Sequence, residues 1–189
     1  MLFRSVRVET LARKLAYEYY IDSRLSLGKK LIVDKEPLEP IAFPSRDYSQ
    51  FIANVRKIFP EAKLLLAIRD PFSTISSMSR RTWGESLSDG QKHRFTLQEY
   101  IDTWKACAEI VLQYHGLPNV YVVQFGRLVN DAENESRKIF DFLKLRDCVP
   151  FRPRETNEVN FDIEERDLIL SAVSPHLERL MSLGIKDLS

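Results

Sequence analysis

The chain has 189 residues, of which 44% are hydrophobic, enough for one domain to bury an apolar core without disulfides or metal ions. Its 28 basic and 27 acidic side chains leave a net charge of +1, which argues against nucleic acid and anionic membrane surfaces as partners. Cys107 and Cys148 are far apart and form no CxxC motif, which argues against a disulfide framework or a metal site.

The N-terminal part is predicted to form a helix and then a short strand. Apolar residues recur at helical spacing over residues 7–24, which favours an amphipathic helix. Leu31-Ile32-Val33 is typical of a short buried strand. The polar residues 34–37 follow it and end in a proline, so regular structure should stop there.

A second helix and strand are predicted further along. The helix is marked by apolar residues at helical spacing and is closed by Pro60: Phe51, Ile52, Val55, Ile58 and Phe59. The continuous apolar run Leu64–Ile68 predicts a strand that is covered on both faces. Asp70 and Pro71 are types favoured at the start of a helix, which we expect to run to about Arg80.

The remaining elements follow from caps and apolar spacing. Residues 96–99 form a capping box, which predicts a long helix from about 97 to 114. A third strand is predicted over 120–125, and Asp131 can cap the helix after it. Residues 147–161 have no regular pattern. A last helix carries an apolar face: Leu168, Ile169, Val173, Leu177 and Leu180.

The alternation of strands and helices predicts one α/β domain over residues 1–189. Its expected core is a short parallel sheet flanked by helices on both faces. Ligands of such sheets bind beyond the carboxyl ends of the strands. Here those ends carry Lys35, Arg69 and Phe125, so we expect a ligand site near these residues.

The helix that starts after Arg69 has the features of an anion site. Free backbone N–H groups and the helix dipole favour an anion at that end, and a guanidinium adds a bidentate clamp for phosphate. Hydroxyl side chains line the first two turns: Ser73, Thr74, Ser76 and Ser77. The alternative is that Arg69 pairs with a neighbouring carboxylate and that the hydroxyls have no ligand.

The same residues resemble a known motif. Residues 59–63, Arg69-Asp70-Pro71 and Ser77 are similar to the 3′-phosphate-binding motif of sulfotransferases, in which a Ser follows the Arg by eight positions. Residues 33–37 resemble the Lys-Thr-Pro or Lys-Asp-Pro element of that family, and 122–129 resemble its Tyr-Glu-Asp-Leu-Val segment. The similarity is closest to the tyrosylprotein and broad bacterial branches. It implies a P-loop-like α/β sandwich.

The resemblance also implies roles for individual residues. Arg69 and Ser77 would bind the 3′-phosphate of the sulfuryl donor, 3′-phosphoadenosine 5′-phosphosulfate (PAPS). Phe125 would contact the adenine, and Arg154 would add a cation from a late loop. Lys35 would be catalytic, because a fixed ammonium stabilises the negative charge that develops during sulfuryl transfer.

Each of these roles has a structural alternative. Lys35 could pair with Asp34 or Glu36, Phe125 could be a core aromatic, and Arg154 could be a solvated loop residue. The acceptor also needs a base, and the sequence does not choose among the candidates: Glu36, Glu39 and His93.

One expected element of a sulfotransferase is missing from the sequence. The family opens with a strand and a glycine-rich loop around the 5′-phosphosulfate, but no glycine precedes Gly28. We therefore expect the N-terminal strand and phosphate loop to be absent. Three explanations stay open: a truncated chain, a partner chain that supplies the loop, or a domain that has lost catalysis.

The function predicted from the sequence is sulfuryl transfer from PAPS to a hydroxyl or amine of a small molecule or protein, without a metal. The alternative is a noncatalytic domain that binds an adenosine 3′-phosphate nucleotide or scaffolds a partner. A homo-oligomer or partner chain would cover the exposed sheet edge. No apolar run reaches about 18 residues and no secretory h-region is present, so we predict a cytoplasmic protein without a membrane or nucleic-acid partner.

Overall fold

A computed structural model describes residues 14, 47–81, 95–146, 149–152, 159–186 and 188. These residues belong to two compact units, one with Lys14 and residues 47–62, the other with residues from 63 onward. Lys14 is helical, but the rest of the helix predicted over 7–24 and the strand predicted at 31–33 lie outside the described residues.

In the first unit, residues 47–62 contain helix α1 (Tyr48–Ile58). Asp47 caps it, because the Asp47 carboxylate accepts a hydrogen bond from the Gln50 N–H at 2.9 Å. Tyr48 and Ile52 are buried one turn apart on the same face. The predicted helix is confirmed, and it ends just before Pro60, as expected from the missing N–H of proline.

In the described part of the second unit, two strands pair as a parallel sheet. Strands β1 (Leu64–Ile68) and β2 (Val120–Gln124) pair in register from Leu64 opposite Val120 to Ile68 opposite Gln124. The connection between them contains helices α2 (Pro71–Ser79) and α3 (Leu97–Tyr114). The protein is therefore a mixed α/β structure with a short parallel sheet and helices, as predicted.

Strand β1 differs from its prediction in how it is buried. Leu66 and Ile68 are buried, but Ala67 is exposed and Leu65 is 41% exposed. Alternate side chains of a strand point to opposite faces, so Leu65 and Ala67 share one face of the sheet. The expectation of cover on both faces was wrong, because this face of β1 is exposed.

The helix starts follow the predicted caps. The Asp70 carboxylate accepts from the Ser73 N–H at 2.6 Å, and Pro71 occupies the first turn of α2. Thr96 and Glu99 form the predicted capping box of α3. At each of these places a local hydrogen bond decides the boundary, so the sequence was a sufficient guide.

Strand β2 is shorter than predicted and leads directly into a helix. Phe125 was expected to end the strand, but it begins helix α4 (Phe125–Asn130), which the sequence analysis did not find. Asp131 then caps α5 (Ala132–Leu143), as predicted. The last helix, α6 (Ile163–Ser182), starts with a capping box and packs against α2 and α3. The most deeply buried side chains of α3 and α6 are small or branched: Ile101, Ala108, Ile169, Val173 and Leu180.

The part of the chain that the structure describes shows neither a membrane-spanning helix nor a cluster of metal ligands. None of its helices has both the length and the apolar character needed to cross a membrane. Within the same residues, no group of three or more His, Cys, Asp or Glu side chains is arranged to hold a metal ion. Cys107 is partly buried and forms no disulfide with another described residue.

Candidate functional site

The carboxyl end of β1 carries a charged pair. Arg69 follows the last strand residue, and its Nε lies 3.5 Å from Asp70 Oδ2, with both side chains partly exposed. The contact with a neighbouring carboxylate that we considered as an alternative is therefore present. Such exposed pairs contribute about 0–1 kcal/mol, and among the described residues no hydrogen-bond partner is found for the Arg69 Nη groups. The guanidinium therefore keeps donors that can face an anion.

Arg69 and Phe125 meet at this end of the sheet. The register places Ile68 opposite Gln124, so the next residues of the two strands are neighbours. The Arg69 Cζ atom lies 4.8 Å from the centroid of the Phe125 ring, within the range of a cation–π contact. The structure thus brings together two of the predicted site residues.

A third residue, Trp104, contacts the main chain of Arg69. The Trp104 indole N–H donates a hydrogen bond of 3.0 Å to the Arg69 carbonyl, across 35 positions of sequence. Sequence analysis predicted the helix but not this contact of Trp104. The residue type alone could have indicated such a contact, since a buried indole N–H usually finds an acceptor.

The hydroxyl groups of helix α2 differ in whether they have a hydrogen-bond partner among the described residues. The Thr74 hydroxyl donates to the Asp70 carbonyl at 2.7 Å, and the buried Ser76 hydroxyl accepts from Arg80 Nη2 at 2.7 Å. By contrast, no described residue hydrogen-bonds to the hydroxyls of Ser73 and Ser77, which lie one turn apart on the same face. Because Asp70 already accepts from the Ser73 N–H, these hydroxyls, more than the helix N-terminus, are left for a ligand.

Other predicted site residues are not placed. Lys35 and Arg154, together with the candidate bases Glu36, Glu39 and His93, lie outside the described residues. Arg152 is described and exposed, next to Phe151, whose N–H donates to the buried Ser136 hydroxyl at 2.9 Å. This hydrogen bond attaches the segment 149–152 to α5.

A comparison with known protein families identifies the family of the chain. The model of the sulfotransferase family matches residues 2–148. The chain belongs to the sulfotransferase family. Searches of curated proteins and of solved structures found no match. The matched range includes Lys35, Arg69, Ser77 and Phe125, and it ends before Arg154.

The protein also carries a cation that sequence analysis did not single out. Arg166 lies in the first turn of α6, and its Cζ is 4.9 Å from the centroid of the Phe72 ring. Phe72 is in turn 6.5 Å from the ring of Phe161. This cluster joins the first turn of α2 to the start of α6, and α6 lies beyond the residues that the family model matches.

The residues near the end of β1 offer a guanidinium, an aromatic ring and two hydroxyls. This set is suited to a ligand in which an anionic group is attached to a planar one.

Proposed function

We propose that this sulfotransferase-family protein transfers a sulfuryl group from PAPS to a hydroxyl or amine acceptor. Membership of the family supports sulfuryl transfer in general. The observation that carries the choice of donor is the Arg69 guanidinium, held over Phe125 at the end of β1 and followed eight positions later by Ser77.

The 3′-phosphate is the part of the donor that suits these residues. A guanidinium can bind phosphate through two parallel N–H···O bonds, and such charge-assisted bonds are about twice as strong as neutral ones. Ser77 lies on α2 about 9 Å along the axis from Pro71, at a rise of about 1.5 Å per residue. The resemblance to the family motif assigns the Ser77 hydroxyl to the same phosphate as Arg69. Phe125 supports the guanidinium on one side and offers an apolar edge to the adenine.

The transfer itself would be served by Lys35. In the reaction, the bond between sulfur and the bridging phosphate oxygen breaks, and a new bond forms from sulfur to the acceptor oxygen or nitrogen. The acceptor proton passes to a base, and adenosine 3′,5′-bisphosphate leaves. An ammonium group beside the bridging oxygen stabilises the charge that grows there. The assignments of Lys35 to this task and of Arg154 to the 3′-phosphate rest on the resemblance of their sequence segments to the family.

Calorimetric titration tests the 3′-phosphate site. Adenosine 3′,5′-bisphosphate should bind more tightly than adenosine 5′-monophosphate, and Arg69→Ala should remove the difference. A charge-assisted clamp worth about 1.5–3 kcal/mol corresponds to a loss of about tenfold to a hundredfold in affinity. The control is Arg137→Ala, which removes an exposed arginine from α5 that pairs with Glu133 at 3.0 Å. This variant should bind like the wild type.

Turnover tests the catalytic part separately. Lys35→Ala should keep the affinity for the bisphosphate and lose about 100-fold or more in the rate of sulfuryl transfer. Equal affinity of the wild type for the two nucleotides would refute the 3′-phosphate site. A Lys35→Ala variant with wild-type turnover would refute the role of the lysine and leave the nucleotide site standing.

A further inference from the structure

We infer that Trp104 is a positioning residue for the nucleotide, which acts by fixing the backbone of Arg69. The inference rests on the proposed function, because it assigns Trp104 to the same 3′-phosphate site. Trp104 would not touch the nucleotide. Its indole N–H would set the direction in which the Arg69 side chain leaves the main chain.

The carbonyl that accepts this hydrogen bond lies at the joint between β1 and α2. The last strand residue is Ile68, and the first described helical acceptor of α2 is the Asp70 carbonyl, which accepts from the Thr74 N–H at 3.2 Å. The Arg69 carbonyl therefore lies between the strand ladder and the helix ladder. Its described partner is the Trp104 indole at 3.0 Å, so a side chain from α3 orients this peptide.

Trp104 is itself held firmly. Its side chain is 3% exposed and lies on the buried face of α3 between Ile101 and Ala108. The His176 ring from α6 contacts it edge to face, with ring centroids 6.5 Å apart. Because the indole ring is buried and closely packed, the position of α3 determines where the indole N–H meets the end of β1.

The helices around Trp104 are fastened to each other. Glu109, five residues after Trp104 on α3, accepts hydrogen bonds from both Nη1 and Nη2 of Arg179 and lies 3.1 Å from His176 Nε2. Bidentate arginine–carboxylate pairs have a defined geometry. The support for Arg69 therefore comes from α3 and α6 together.

Loss of the hydrogen bond from Trp104 should weaken binding of the 3′-phosphate and leave the binding of the rest of the nucleotide unchanged. A bidentate clamp depends on direction, and a displacement of about 1 Å in a supporting group weakens it strongly. Phe125 and Asp70 also contact the guanidinium, but neither fixes the peptide from which the side chain starts. A purely structural role for Trp104 would lower stability without changing the preference for the bisphosphate.

The test compares two variants of the same helix. Trp104→Phe keeps an aromatic ring and removes the N–H donor. Tyr100→Phe is the matched control, because the buried Tyr100 hydroxyl, one turn away, has no hydrogen-bond partner among the described residues. The measured quantity is the ratio of the affinities for adenosine 3′,5′-bisphosphate and adenosine 5′-monophosphate. We expect this ratio to fall about three- to tenfold in Trp104→Phe and to stay unchanged in Tyr100→Phe.

A second measurement covers the case in which Trp104→Phe fails to fold. The chain has two tryptophans, so Trp83→Phe leaves Trp104 as the single indole. Its indole ¹H–¹⁵N resonance should shift when the bisphosphate binds and stay in place with the monophosphate. An unchanged affinity ratio in folded Trp104→Phe, or an indole resonance that ignores the bisphosphate, would overturn the inference. A wild-type protein without any preference for the bisphosphate would instead refute the proposed function, and the role of Trp104 with it.

Discussion

Glu135 is a carboxylate buried in the second unit, with 3% of its surface exposed. The Tyr121 hydroxyl of β2 donates to Glu135 Oε1 at 2.8 Å, and Lys138 Nζ lies 3.4 Å from Oε2. Burial of the Tyr121 phenol raises its pKa, and the hydrogen bond to Glu135 raises it further. The phenol therefore stays protonated and serves as a donor throughout the physiological range of pH.

Removal of this donor should destabilise the second unit. In Tyr121→Phe one oxygen of a buried carboxylate loses its partner, and we expect the free energy of unfolding to fall by about 1–3 kcal/mol. Urea denaturation followed by circular dichroism measures the change. Tyr100→Phe is again the comparison, because it deletes a buried hydroxyl without a described partner and should cost much less. Equal losses in both variants would mean that the hydrogen bond to Glu135 contributes nothing.

At the level of single residues, the sequence was a partial guide to the site. It identified Arg69 and Phe125 because each follows an apolar run of a parallel strand, and the register then made them neighbours. Trp104 was missed because helical periodicity shows that a side chain faces inward but says nothing about what its polar atom meets. The hydrogen bond to Arg69 joins residues 35 positions apart.

At the level of elements, local hydrogen bonds made boundaries predictable. Asp70, Thr96 and Asp131 each cap the helix that was assigned to them. The end of β2 was misjudged because an aromatic residue after an apolar run fits a strand and a helix start equally well. The burial of β1 was misjudged because five apolar residues in a row do not reveal which face the neighbouring elements cover.

The one-sided burial of β1 predicts unequal effects of two neighbouring substitutions. Leu66→Ala should lower the free energy of unfolding by about 2–5 kcal/mol, since it leaves a cavity under the sheet. Leu65→Ala removes the same atoms from a side chain that is 41% exposed and should cost about 1 kcal/mol or less. Urea denaturation of both variants gives the comparison directly. Equal losses would show that the open face of β1 is covered in solution.

At the scale of the whole molecule, the part beyond the family match completes the second unit. Helix α6 starts after residue 148, yet its Ile169, Val173 and Leu180 are fully buried. The segment after it returns to the sheet, where the Lys186 N–H donates to Gln124 Oε1 at 2.7 Å. Sequence periodicity predicted α6 itself, but such contacts between distant residues depend on tertiary packing and left no local signal.

The contact between α3 and α6 makes stability depend on pH through His176. Its ring is largely buried between Trp104 and Glu109, and Lys105 and Arg179 are the other charges that act on it. Burial lowers the pKa of His176 below its ordinary value, and the two cations lower it further, whereas Glu109 opposes the shift. The folded protein therefore binds this proton less readily than the unfolded chain, for which the pKa is about 6.5.

This shift predicts a loss of stability in mild acid. As the pH falls below about 6.5, the unfolded chain takes up a proton that folded His176 resists, so the free energy of unfolding decreases until the pH passes below the lowered pKa. Urea denaturation between about pH 5 and 8 should show this decrease, and His176→Gln should make the profile flatter. Glu109→Gln should make the decrease larger, because it removes the charge that favours the imidazolium and leaves Lys105 and Arg179. If His176→Gln follows the wild-type profile, protonation of another group weakens the protein, and the packing of α3 on α6 does not depend on a neutral imidazole.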